Sequence, residues 1–128
     1  MELWCTDPAA AKAQYGPIAS WDTSEITDMW SLFWDKANFN DDISRWDVSS
    51  VTDMGYMLYG ATSFNGDLSQ WDVSKVSDME CMLEGATSFT HQLGGAWSTS
   101  TADMDNMFLE CPGGSIAGKT NSAIGTPK

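Results

Sequence analysis

A chain of 128 residues with 42% apolar content is sized for one domain around one core. Its 18 acidic residues against 6 basic give a formal charge of −12, which repels phosphate backbones and anionic headgroups, so no nucleic acid partner is expected. No apolar run approaches the roughly 20 residues that cross a bilayer, which excludes direct membrane insertion by a helix.

Residues 1–17, with Trp4, Pro8 and Tyr15, match the repeat that follows poorly and are expected to form an N-terminal cap. From residue 18 the sequence aligns with itself at an offset of 25 without a gap, giving copies at 18–42, 43–67, 68–92 and 93–117. Trp21, Trp46 and Trp71 share one position; Asp28, Asp53, Asp78 and Asp103 share another. Met29, Met54, Met79 and Met104 recur beside them, and Phe39, Phe64 and Phe89 recur further on. In the third copy Leu68, Trp71 and Val73 give the spacing of a strand with one face buried. In the second, Val51, Met54, Met57 and Leu58 are spaced as one stripe of a short helix, with Asp53 near its start and Gly60 at its end. Neither element buries its apolar face alone, so neighbouring copies must stack into columns of Trp, Met and Phe, the methionines being core filler.

The fourth copy has Ala96 at the Trp position and Gly114 at the Phe position, the loss of apolar residues expected of a C-terminal cap. Residues 118–128 are rich in Gly, Ser, Thr and Pro and read as a loose tail. The expected fold is α/β: a short right-handed leucine-rich-repeat-like solenoid of four 25-residue strand-plus-helix repeats over residues 18–117. Cys5, Cys81 and Cys111 lack the short spacings of zinc or redox sites, and free thiols are expected, a Cys81–Cys111 pair being the alternative.

The phrases FNGDLSQWDVSKVSDM over residues 64–79 and WDVSSVTDM over 46–54 resemble the tandem "bacterial surface protein" repeat of BspA-like leucine-rich-repeat proteins. The resemblance is clearest in copies two and three, and weaker in copy one, where Asp22 is followed by Thr23 instead of Val. It implies a leucine-rich-repeat-like fold and surface attachment or protein binding at the cell surface. It implies no enzyme activity, and the residues themselves lead us to expect no cofactor or metal.

Two surfaces are candidates for binding. On the strand side, alternation turns Asp22, Arg45, Asp47, Gln70, Asp72 and Trp97 outward into a concave face. There Asp22, Asp47 and Asp72 form an acidic ladder that suits either a cation or, the favoured reading, turns closed by each carboxylate on the backbone two residues on. On the helix side the copies differ: Trp30 and Trp34, then Tyr56 and Tyr59, then Glu80 and Glu84, then Asp105. Trp30 and Trp34 at i,i+4 share a face, so the convex side is aromatic at one end and acidic at the other. Exposed aromatics mark a protein interface unless the N-terminal cap folds over them through Trp4 or Tyr15.

Catalysis has little to stand on. His91 has no partner at a triad or metal spacing, Gly113 and Gly114 lack the context of a phosphate loop, and a hydrolase would have only Asp22, Asp47 and Asp72 as acid and base. The expected function is a non-enzymatic protein-binding repeat module of the surface or adhesion type. The alternative is a small accessory or linker subunit docked on a larger assembly, such as a photosystem–antenna supercomplex in an algal organelle reached through a removable transit peptide.

Overall fold

The computed structural model describes residues 6–119. Trp4, Cys5 and the expected tail beyond residue 119 lie outside them. Helix α1 (Pro8–Tyr15) forms where Asp7 accepts the Ala10 N–H at 3.1 Å, proline takes the first turn and Gly16, at φ 80°, ends it. Ala11 is its fully buried residue, and Tyr15 sets its ring edge-on against Trp21 at 6.2 Å. A 3-10 turn follows at Ile18–Ser20.

From here the architecture departs from expectation. Four strand-plus-helix repeats do not form: among the described residues the remaining elements are β1 (Gln92–Leu93), α2 (Ala96–Thr99) and β2 (Ser115–Ile116), and β1 pairs with β2 in parallel, Leu93 opposite Ile116. The leucine-rich-repeat-like solenoid of the sequence reading is therefore overturned. In its place each 25-residue unit is a run of turns.

The expected helix at residues 51–58 fails for a reason visible in its hydrogen bonds. Met57, Tyr59 and Ala61 donate within the unit to Met54, Tyr56 and Leu58, three residues back. The alternate N–H groups leave the unit: Met54, Tyr56, Leu58 and Gly60 donate to the carbonyls of Asp78, Glu80, Met82 and Glu84 at 2.8–2.9 Å. An α-helix would keep all of them. The alternation follows from left-handed backbone at two places per unit, Ser31, Tyr56, Cys81 and Asn106 at one, and Asp35, Gly60, Gly85 and Glu110 at the other. A non-glycine residue there costs about 1 kcal/mol, which the inter-unit bonds and buried side chains offset. The expected strand at 68–73 is also two turns, closed by Trp71 N–H to Leu68 and Val76 N–H to Val73, each at 3.1 Å.

Units one to three repeat this pattern onto their successors, with isolated parallel bridges at Asp28–Asp53, Asp53–Asp78 and Asp78–Asp103. The core runs through the units as columns. Met29, Met54, Met79 and Met104 are buried, and the rings of Phe39, Phe64 and Phe89 stack at 5.8 and 6.2 Å, within 7° of parallel. Trp46 and Trp71 are buried, and their indole N–H groups reach back to Ile18 O and Ile43 O at 2.8 and 3.0 Å, tying each unit to the one before. Phe33 and Phe108 close the two ends of a column whose middle is Leu58 and Leu83. A Cβ on Gly114 would stand 2.6 Å from the Phe108 ring, so glycine there makes room for it.

The fourth unit corrects one residue. Ala96 is not the counterpart of Trp71: Gly95 at φ 57° and the single turn of α2 carry Trp97 into that slot, fully buried, its indole bonded to Leu68 O at 2.9 Å. Trp97 thus leaves the candidate concave face.

Candidate functional site

Trp30, Trp34, Tyr56 and Tyr59 come together on the surface. Trp30 meets Tyr56 edge-on at 6.2 Å, Trp34 stacks on Tyr59 at 6.1 Å and 13°, and the two tyrosine rings lie 5.7 Å apart. No helix face gathers them. Trp30 and Trp34 belong to one turn run, Tyr56 and Tyr59 to the next, and the Ser31-to-Gly55 and Asp35-to-Tyr59 backbone bonds hold the runs side by side. Gly55 matters here, because a Cβ on it would stand 3.1 Å from Cδ1 of Trp30, so that ring would have to give by a few tenths of an ångström.

Trp30 is 57% exposed and Trp34 50%, whereas Trp46, Trp71 and Trp97 are buried and Trp21 is partly so. Tyr15 packs on Trp21, not over them. A cleft of about 630 Å³ opens between Trp30, Ser31, Trp34, Asp35, Lys36 and Tyr56. Beyond Tyr56 the surface turns acidic: the charges of Glu80 and Glu84 reach the Tyr56 hydroxyl. That hydroxyl bonds the Cys81 thiol, and this bond first, then the nearby charges, raise its pKa to about 12. Burial raises Cys81 to about 11, and burial likewise raises Cys111 to about 11. Both thiols are free. As poor thiolate formers they make weak nucleophiles.

On the opposite candidate face Arg45 and Gln70 are exposed, as are Asp22, Asp47 and Asp72. Each of these three carboxylates accepts the backbone N–H of Ser24, Ser49 or Ser74 at 3.0–3.1 Å. The serine hydroxyls, then those N–H groups, hold all three below the usual carboxylate range, while Asp22 and Asp72 work against the ionisation of Asp47. Asp42 and Asp67 repeat the device on Ser44 and Ser69 at 2.9 Å. The sequence reading missed this second ladder, although the Asp-x-Ser spacing at 42–44 and 67–69 carries its signal.

Asp28, Asp53, Asp78 and Asp103, read from sequence as helix-start residues, start no helix. Each instead accepts the N–H two residues on, from Trp30, Gly55, Glu80 and Asp105, at 2.9–3.0 Å. Carboxylate oxygens of Asp78, Glu80 and Asp103 lie within 4.8 Å of one another, a spacing that can hold a cation. Two of the three residues already spend an oxygen on the backbone, which leaves four of the six carboxylate oxygens, so a calcium ion, which takes six to eight, would need waters or carbonyls as well. His91 sets its Nε2 3.0 Å from Asn65 O and its ring edge-on to Phe89, near enough to Asp67 of the second ladder to favour that carboxylate's ionised form.

The model of a family described as a Mycoplasma protein of unknown function, DUF285, matches residues 7–117. The chain belongs to that family. No curated protein and no solved structure matched it.

Proposed function

We propose that this member of the DUF285 family is a non-catalytic protein-binding module, in the manner of the BspA-like surface repeats that its second and third units resemble, and that it binds through Trp30, Trp34, Tyr56 and Tyr59. The observation that carries the reading is the pair of half-exposed tryptophans in a four-ring cluster. Tryptophan and tyrosine dominate interface energetics because they bury large rigid area at little entropic cost. The repeat supplies a second argument. Positions that recur, such as the Asp-x-Ser turns of units one to three, are accounted for by folding, whereas the ring positions vary: Trp30 corresponds to Glu80 and Asp105, Trp34 and Tyr59 to Glu84 and Leu109, and Tyr56 to Cys81 and Asn106. Folding does not ask for aromatics there.

The test is a photoreactive benzoylphenylalanine placed at Trp34, with a control at Lys75, an exposed position at the Asp72 turn. On irradiation in cells of the source organism, position 34 should give a protein adduct and position 75 none. An adduct to a subunit of a stable assembly would identify the accessory form of the same interaction. Adducts from both positions alike, or from neither, would remove the reading.

A further inference from the structure

We infer that the partner presents cationic side chains, arginine above all, to this patch, an inference that rests on the binding reading above and names its chemistry. Three independent features of the surface ask for the same thing.

The first is the rings themselves. Trp30 and Trp34 expose 57% and 50% of their surface, and the face of an indole attracts a guanidinium laid over it. The second is charge. The chain carries −12, and the carboxylates of Glu80 and Glu84 stand near enough to Tyr56 for their charge to act on its hydroxyl. Lys36 is the single cation among the residues lining the cleft, where Asp35 lines it too. An apolar partner would desolvate these acids without compensation, whereas a basic one pairs with them.

The third is the backbone. In the turn run of unit two, the carbonyls of Asp53, Gly55, Met57 and Tyr59 each accept an N–H from unit one. The equivalent carbonyls of unit one belong to Asp28, Trp30, Leu32 and Trp34, and no N–H among the described residues reaches them. The rings therefore sit beside a row of acceptors. Arginine has five N–H donors and no acceptor, and its planar fork satisfies a carbonyl or carboxylate while its face covers an indole.

The probe is fluorescein-labelled hexa-arginine amide, titrated by anisotropy in 150 mM salt so that diffuse attraction to an acidic protein is screened. Wild type should bind it more tightly than hexa-lysine amide, which cannot stack as a plane. The uncharged change W30S/W34S should weaken binding by about tenfold or more, and E80Q/E84Q by about threefold. As a readout that needs no variant, the indole N–H signals of Trp30 and Trp34 should shift on titration while those of Trp46, Trp71 and Trp97 stay. Affinity within about twofold of wild type for W30S/W34S, together with unmoved Trp30 and Trp34 signals, would overturn the inference. So would decaproline moving those signals where hexa-arginine does not, which would hand the cleft to a polyproline segment. If hexa-arginine fails while position 34 still cross-links a protein, the cationic chemistry is wrong and the binding reading stands.

Discussion

Gly85 and Glu110 occupy the same backbone place in successive units, at φ 76° and 55°, and only one of them suits it. A Cβ on Gly85 would find its nearest neighbour, the Cα of Gly60, at an ordinary 3.6 Å, so the change Gly85→Ala isolates the backbone cost from any clash. It should lower unfolding free energy by about 1 kcal/mol in urea melts. Glu110→Gly relieves the same strain and should raise it by a few tenths to about 1 kcal/mol, after the entropy glycine adds to the unfolded chain. The serines of the acidic turns predict a pH signature. Asp47 is held below its unfolded pKa by the Ser49 hydroxyl and N–H, so the unfolded chain takes up its proton first on acidification. The stability this bond gives is complete above the ordinary carboxylate pKa near about 4 and is lost as pH falls through the folded value. Ser49→Ala should therefore melt below wild type at pH 7, with the gap closing toward pH 2; a gap that does not change with pH would exclude this origin.

Each unit is held to the one before it by an indole as well as by backbone, and this sets the cost of changing an element. Trp71→Phe keeps most of the buried ring and removes one of two donors to the Ile43 carbonyl, which still accepts the Trp46 N–H, and should cost about 0.5–1.5 kcal/mol, while Trp71→Ala should cost about 3–5. Thermal melts of the pair separate the hydrogen bond from the volume. At this scale the sequence was only partly legible. The 25-residue spacing of Met54, Met79 and the phenylalanines does correspond to buried columns, because identical side chains at a fixed interval have no other economical packing. The element types were misread because apolar spacing of three and four is common to a helix stripe and to consecutive turns closed three residues back. What separates them is the left-handed backbone at Tyr56 and Cys81, and neither residue announces it. Only Gly60 and Gly85 hint at it, and they read equally well as helix ends. Trp97 was misplaced because a gapless alignment cannot show that Gly95 and a single helical turn shift one side chain by one residue. The four-ring cluster was legible for the opposite reason: it breaks the repeat, and whatever breaks a repeat stands out against it.

The whole molecule divides labour between what every unit shares and what they do not. Residues that recur from unit to unit fill the columns and close the turns, and the carboxylate ladders belong to that group. Calcium at millimolar concentration should therefore raise the melting temperature no more than magnesium at equal ionic strength; a larger calcium effect would assign Asp78, Glu80 and Asp103 to a metal. In the function proposed above, the unshared rings of units one and two carry the binding, which requires that the fold not depend on them. Equilibrium urea unfolding of W30S/W34S decides the matter most directly. Half-exposed rings outside the columns should cost the fold less than about 2 kcal/mol when both are removed. A loss of more than about 4 kcal/mol, the scale of a buried Trp71→Ala, would show that the cluster is core and not a docking surface.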